Sequence, residues 1–166
     1  MLTVGLIGVG RIGRVHASTI VQDEGSQLVA VADSVDENAK NLAKLYKVNP
    51  RSVDAIFEDN SIEAILIASS TDTHSDFIEK ASKAGKAILC EKPVDLSLAR
   101  AKRCLENTKS NEHLIMMGFN RRFDPNFVAL KNALDGGEIG TAELLSITSF
   151  DPCLLYTSPS PRDRLK

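Results

Sequence analysis

The sequence predicts a doubly wound α/β fold, a parallel sheet with helices on both faces, and three observations carry that prediction. Over the first 118 residues short apolar runs alternate with amphipathic stretches of helical length. The runs are apolar throughout, which fits strands covered on both faces. A glycine-rich turn joins the first run to the first amphipathic stretch. Strands separated by such stretches read as βαβ units, because parallel neighbours need a crossover connection.

Thr3–Val9 is the first apolar run, interrupted by glycines, and a helix is expected from Arg11 to Gln22. Leu28–Ala32 is the second strand and ends at Asp33. Asp36 is placed to cap the next helix, in which Ala39, Leu42, Ala43 and Tyr46 recur at helical spacing. Ala64–Ala68 is a further strand, followed by the polar turn Ser69–Thr73. Thr73 and Asp76 stand in the spacing of a capping box. The helix behind them turns Phe77, Ile78, Ala81 and Ala84 inward and stops near Gly85. Ala87–Cys90 is the next strand. A helix from about Ser97 to Lys109 and a strand at Leu114–Gly118 close the series. Beyond Gly118 the pattern changes: a polar stretch Asn120–Asp124, a helix Pro125–Leu134, a turn Asp135–Gly137 and a strand Ala142–Phe150. One helix and one strand do not make a domain, so this part reads as the beginning of something longer.

Composition is that of an ordinary globule, with 166 residues, 43% hydrophobic and 25% charged. A net charge of −2 with both signs interspersed offers no basic face for nucleic acid. No apolar run is long enough to span a membrane, and the chain opens on a strand-like segment rather than a secretory signal. Cys90, Cys104 and Cys153 show neither metal spacing nor a paired framework, which predicts reduced thiols, no metal and a cytoplasmic protein.

Gly8-x-Gly10-x-x-Gly13 lies where the first strand opens into the first helix. That placement suits a dinucleotide: the first glycine makes the tight turn, the second admits a pyrophosphate to the backbone, and the third lets helix and strand pack closely. Asp33 ends the second strand 20 residues after Gly13, where a carboxylate would bond ribose hydroxyls. It would repel a 2′-phosphate, favouring NAD over NADP. The alternative is a glycine-rich turn with Asp33 as a helix cap.

Cys90–Pro93, read with Gly5–His16 and Ala68–His74, resembles the Gfo/Idh/MocA oxidoreductase family, whose members carry Glu-Lys-Pro after the fifth strand of a Rossmann domain. The segment Gly118–Phe127, GFNRRFDPNF, is similar to that of the inositol 2-dehydrogenases in that family. The resemblance covers Met1 through Pro152. It implies a Rossmann domain over residues 1–119 and, over 120–152, the truncated start of a second α/β domain for substrate binding and oligomerisation. It further implies NAD-dependent oxidation of a secondary hydroxyl on a cyclic polyol or sugar, with myo-inositol preferred, and a parent that assembles as a dimer or tetramer. By position, Lys92 would be the catalytic lysine between substrate hydroxyl and nicotinamide, where an ammonium stabilises developing alkoxide. The Lys92–Pro93 bond is commonly cis in the family. Arg11 and Ile12 would meet the pyrophosphate; Ser69, Ser70, Thr71 and His74 would form the rim beside the riboses. Glu91 would face the cofactor, Asn120 would lie near the nicotinamide, and Arg121 near the substrate hydroxyls. Arg122 is expected in a structural ion pair, and His16 is expected to pack, with no chemistry assigned to it.

The resemblance also implies what is missing. Family members continue into a second domain whose Asp-x-x-x-His helix supplies the general base, while His16, His74 and His113 all lie before Pro152. The chain is therefore expected to carry the cofactor site and the lysine but not the base, and to be inactive alone. Cys153–Asp163, CLLYTSPSPRD, has the composition of a flexible tail. It is also similar to a translated sequencing adapter, so residues 153–166 are expected to be non-native and disordered. A genuine Ser-Pro-rich tail with phosphorylation sites is the competing reading. A non-catalytic dinucleotide-binding module, or an enzyme acting on another sugar, are the competing functions.

Overall fold

The computed structural model describes residues 1–148, the side chain of His113 excepted. The expectations for Cys153 and for the tail from 153 to 166 lie outside the described residues. The chain divides into two compact units, the first Met1–Asn120 and the second beginning at Arg121.

The first unit runs β1 (Leu2–Ile7), α1 (Arg11–Gln22), β2 (Ser26–Ala32), α2 (Asp36–Tyr46), β3 (Asn49–Pro50), α3 (Val53–Glu58) and β4 (Ala64–Ile67). A 3-10 turn at Thr71–Thr73 leads into α4 (His74–Lys83), followed by β5 (Ala87–Cys90), α5 (Leu98–Thr108) and β6 (Ile115–Met117). The six strands form one sheet in the order β3-β2-β1-β4-β5-β6, every neighbouring pair parallel. This is the Rossmann order, and the doubly wound α/β expectation is met.

The alternation of side chains along each strand divides the core in two. Val4 and Leu6 of β1 with Ala64 and Leu66 of β4 pack on Ala17 and Ile20 of α1 and Leu42 of α2. Ile7, Ile65 and Ile67 face the other way, onto Ile56 of α3 and Ile78 and Ala81 of α4. All four residues of β4 are buried, as a central strand covered on both faces requires.

Several local expectations change. Asp36 does not cap α2. Val35 holds the cap position, and the upstream Asp33 accepts the Val35 N–H at 2.9 Å; Asp36 and Glu37 fall inside the first turn, where carboxylates favour the helix dipole. The Thr73–Asp76 capping box does not form, because both groups are engaged elsewhere. The Thr73 hydroxyl donates to the Ser70 carbonyl at 2.8 Å, and Asp76 accepts from Arg100 Nη2 at 2.7 Å. Ala84 is exposed rather than inward, since α4 stops at Lys83 and Gly85 takes a positive φ of 68°. The pair β3 and α3 lacks the length of a clear apolar run and has no counterpart in the sequence reading.

In the second unit α6 spans Pro125–Asp135, its first turn capped by Asp124, whose carboxylate accepts the Asn126 N–H at 3.0 Å. The strand expected over 142–150 is not formed at 142–148, and 149–150 lie outside the described residues. A strand exists by pairing, and among the described residues no strand pairs with this stretch. Its apolar side chains are exposed, Leu144 at 89%.

Candidate functional site

The chain leaves β1 toward β2 and β3 on one side and reaches β4, β5 and β6 on the other, so the order of connection reverses between β1 and β4. In open α/β sheets ligands bind outside the carboxyl ends of the strands at that reversal. Backbone bonds just past the strand ends hold it together: Gly8 N donates to Ala32 O at 2.8 Å and Ala68 N to Ile7 O at 2.7 Å. A cleft of about 370 Å³ opens there, lined by Gly8, Gly10, Asp33, Ser69 and Ser70 together with Thr73 and Phe77.

The three glycines meet three different demands. Gly8 has φ 91°, and a Cβ on it would stand 2.4 Å from the Ser69 nitrogen. A Cβ on Gly13 would come within 1.9 Å of the Gly8 carbonyl oxygen, so turn and helix touch through that position. A Cβ on Gly10 would meet no protein atom within 4 Å. Space is therefore kept clear at Gly10, in front of the first turn of α1. Gly10 is also the N-cap of α1 and has no side chain to cap it, and the first turn holds no acidic residue. The leading amides of α1 are left free for an anion.

Asp33 anchors the far side of the cleft. Its Oδ2 accepts the Val9 N–H at 2.8 Å, and its Oδ1 accepts the Val35 N–H at 2.9 Å. A carboxylate has about four acceptor sites, so two amide bonds fix its orientation and leave it able to accept hydroxyls. Arg14 Nε donates to the Val9 carbonyl at 3.2 Å and ties the turn to α1 from the other end.

A second loop lies at the end of β5, whose neighbour in the sheet is β4. Glu91 N donates to Ile67 O at 2.9 Å, and the cis peptide joins Lys92 to Pro93. Lys92 is exposed. Glu91 turns its carboxylate to α1, where His16 Nε2 lies 2.8 Å from Oε1. The same carboxylate faces Gly118, at which a Cβ would stand 3.2–3.3 Å from it. His74 is buried, 1% exposed, with Nδ1 2.7 Å from the Pro93 carbonyl oxygen and Nε2 3.1 Å from that of Ser69. Burial pushes the Cys90 thiol up to about 12, reinforced by Cys104 and Glu91, so it stays a neutral core group.

The structure thus gathers Gly8, Gly10, Asp33, Ser69 and Ser70 around one cleft, with Gly13 beneath it and Arg11 and Ile12 exposed in the first turn of α1. Thr71, Glu91 and Lys92 stand on neighbouring loops of the same sheet edge, and Asn120 is exposed after β6, its N–H donating to Gly118 O at 3.0 Å. Arg121 belongs to the second unit, where it pairs with Asp124 at 3.2 Å and lies over the Phe127 ring at 5.6 Å. Among the described residues it is therefore Arg121, not Arg122, that makes the ion pair. His16 departs from the expectation of simple packing, since its ring is quarter-exposed and bonded to a carboxylate. No local signal joins residues 16 and 91, which meet only through the crossing of β4. Thr73 and Phe77, read in the sequence as a cap and an inward helix residue, also line the cleft, and their place one and two turns past Ser70 points toward it. Among the described residues no cluster of His, Cys, Asp and Glu could hold a metal, and no helix is long and apolar enough to cross a membrane.

Residues 2–119 match the profile of GFO_IDH_MocA, an oxidoreductase family with an NAD-binding Rossmann fold. The inositol 2-dehydrogenase of Rhizobium meliloti is 45% identical over 162 residues, 98% of this chain and 48% of that protein. The structure of a myo-inositol dehydrogenase from Corynebacterium glutamicum superimposes with a TM-score of 0.81 at 39% identity, covering 85% of this chain and 43% of that one. A scyllo-inositol dehydrogenase from Lactobacillus casei, solved with bound NAD(H) and scyllo-inositol, gives 0.79 at 28% identity, with 84% and 42% covered. The chain spans about half the length of the curated relatives it matches.

Proposed function

We propose, from the premise that this chain belongs to the Gfo/Idh/MocA oxidoreductase family with its NAD-binding Rossmann fold, that it is the cofactor-binding half of an NAD-dependent inositol dehydrogenase. The observation that carries this reading is the cleft at the reversal point, where free helix amides, a vacant approach at Gly10 and an oriented Asp33 carboxylate converge. These residues fit a dinucleotide. The amides of Arg11, Ile12 and Gly13 would hold the pyrophosphate, with Gly8 shaping the turn. Asp33 would accept from the adenosine ribose hydroxyls and exclude a 2′-phosphate. Ser69, Ser70 and Thr71 would border the riboses, with Glu91 and Asn120 nearby; His74, expected on that rim, is buried behind Ser69 with both ring nitrogens turned to backbone carbonyls and would not touch the cofactor. When bound, NAD supplies the hydride acceptor.

Lys92 would then act on the substrate. Its ammonium beside the reacting hydroxyl would stabilise negative charge growing on that oxygen as the carbon is oxidised to a ketone. Arg121 would bind further hydroxyls of the ring. The relatives named above act on inositols by their names, which supports a cyclic polyol, myo-inositol first, as substrate. A proton acceptor for the hydroxyl would come from the remainder of the protein, together with the surface that makes a dimer or tetramer, and the whole would work in the cytoplasm.

The reading is tested in two stages. The 166-residue chain is expected to bind NADH, seen as a rise in nicotinamide fluorescence. Joined to the C-terminal half of the Rhizobium meliloti relative, it is expected to reduce NAD with myo-inositol. In that chimera Lys92→Ala should keep NADH affinity and lose most turnover. Unchanged turnover would remove Lys92 from the mechanism, and no NADH binding by the chain would remove the cofactor assignment.

A further inference from the structure

Lys92 is bracketed in sequence by two residues tied to other elements, and both ties are to histidines. On one side His16 of α1 reaches Glu91, Nε2 to Oε1, at 2.8 Å. On the other, His74 at the start of α4 lies with Nδ1 2.7 Å from the Pro93 carbonyl oxygen. Each histidine also belongs to a part of the cleft. His16 stands three residues beyond Gly13 in the helix whose leading amides open onto it, and the second nitrogen of His74 lies 3.1 Å from the carbonyl of Ser69, which lines it. Lys92 itself is exposed. A lysine has a flexible four-carbon stem, so the backbone that carries it sets where the ammonium can reach.

We propose that His16 and His74 are positioning residues, a two-sided clamp that fixes the Glu91–Lys92–Pro93 loop relative to the glycine-rich turn and thereby aims Lys92 at the cofactor cleft. This rests on the reading of Lys92 given above and adds the residues that hold it in place. The two contacts use different ring nitrogens, which makes the clamp separable from mere bulk. Carbonyl and carboxylate oxygens only accept, so each contact requires an N–H on the nitrogen that makes it. A glutamine amide nitrogen can stand in for histidine Nε2, and an asparagine amide nitrogen for Nδ1. His16→Gln can therefore restore the bond to Glu91 where His16→Asn falls short. At position 74 the order inverts: Asn can keep the bond to Pro93, and Gln cannot. Both histidine contacts lie well inside the first unit, so the 166-residue chain suffices for the test.

Two measurements decide it. In the first, Lys92 is acylated with and without saturating NADH and followed by peptide mass spectrometry. NADH is expected to shield Lys92 in the unaltered chain, in His16→Gln and in His74→Asn. In His16→Asn and His74→Gln the shielded rate should rise about tenfold while NADH affinity stays within about threefold, a loss the size of one hydrogen bond. Equal shielding in His16→Gln and His16→Asn would overturn the clamp, as would a loss of shielding that merely follows a loss of NADH affinity. The second measurement is amide hydrogen exchange at residues 91–94 without cofactor, expected about tenfold faster in His16→Asn than in His16→Gln. Equal exchange would overturn the clamp whatever NADH does. Separated exchange rates with no shielding of Lys92 in the unaltered chain would keep the clamp and sink the proposed role of Lys92. Should the variants of buried His74 fail to fold, the His16 pair decides alone.

Discussion

Gly10→Ala and Gly13→Ala should separate binding from folding within a single turn. At Gly13 a new Cβ stands 1.9 Å from the Gly8 carbonyl oxygen and 2.9 Å from its carbon, both rigid backbone, so the turn must retreat by roughly 1.5 Å to reach ordinary contact. Overpacking of this kind costs about 3 kcal/mol or more when the obstructing atom cannot rotate away. For a unit of this size that lowers the melting temperature by on the order of 10 °C. At Gly10 the Cβ meets nothing within 4 Å, and φ −65° suits alanine. The loss of glycine at an N-cap and the entropic gain of alanine are each about 0.5–1 kcal/mol and of opposite sign, so stability should hardly move. The methyl would instead occupy the approach to the α1 amides, and NADH affinity should fall at least about tenfold, the loss of roughly one charge-assisted hydrogen bond. Thermal unfolding by circular dichroism and NADH titration by fluorescence report the two effects separately. Gly10→Ala binding NADH within about twofold of the unaltered chain would refute the reasoning, because no pyrophosphate could then lie against those amides.

Asp33→Ser should weaken NADH about tenfold or more and NADPH much less, since the change removes both a ribose acceptor and a charge that repels the 2′-phosphate; competition titrations measure the ratio. Asp59 gives a pH test. The Ser61 hydroxyl, the Ser61 N–H and the Arg51 guanidinium hold its carboxyl down at about 2, against 3.8 when unfolded. A depressed folded pKa stabilises above the unfolded value, so this contribution is complete above about pH 4 and disappears as pH falls through about 2. Asp59→Asn should therefore be less stable than the unaltered chain at pH 5 and converge on it near pH 2, as urea melts at both values would show. Cys90, fully buried with its thiol raised to about 12, should resist thiol reagents at neutral pH until the protein unfolds, checked by peptide mapping of the labelled protein.

The parts of the fold legible in the sequence are those set by local physics. The helix Arg11–Gln22 and the strand Ala87–Cys90 match their observed bounds because an apolar period and flanking glycine or polar residues define them within one segment. The strand β3, two residues long and containing Pro50, has no period to read; it exists because β2 offers it an edge. The capping box at Thr73 failed for a related reason. Its spacing is local, but Ser70 and Arg100 compete for the same groups, and Arg100 lies 24 residues from Asp76. In the site, the glycines and Asp33 were legible because one turn and one strand end fix them. The ties of His16 to Glu91 and of His74 to Pro93 span 75 and 19 residues, so they appear only once β4 and β5 lie beside β1. Long-range pairs of this kind carry no signature in a single sequence.

Asp33 shows how two readings that compete in a sequence can both hold in a structure. Read as a cap, it should bind backbone amides; read as a ligand, it should face a cleft. It does both, accepting from Val9 and Val35 while lining the cavity. The amide bonds cost the ligand function little, because a carboxylate retains further acceptor positions after two are filled. They also make it a better ligand. A carboxylate already held in place loses less rotamer freedom when it accepts two hydroxyls, so more of the interaction survives as affinity. The Val9 amide it engages belongs to the turn between Gly8 and Gly10, so the group that would grip the ribose also holds the backbone that would grip the pyrophosphate. Loss of Asp33 should therefore loosen both ends of the site together, a larger effect on binding than one missing contact would produce.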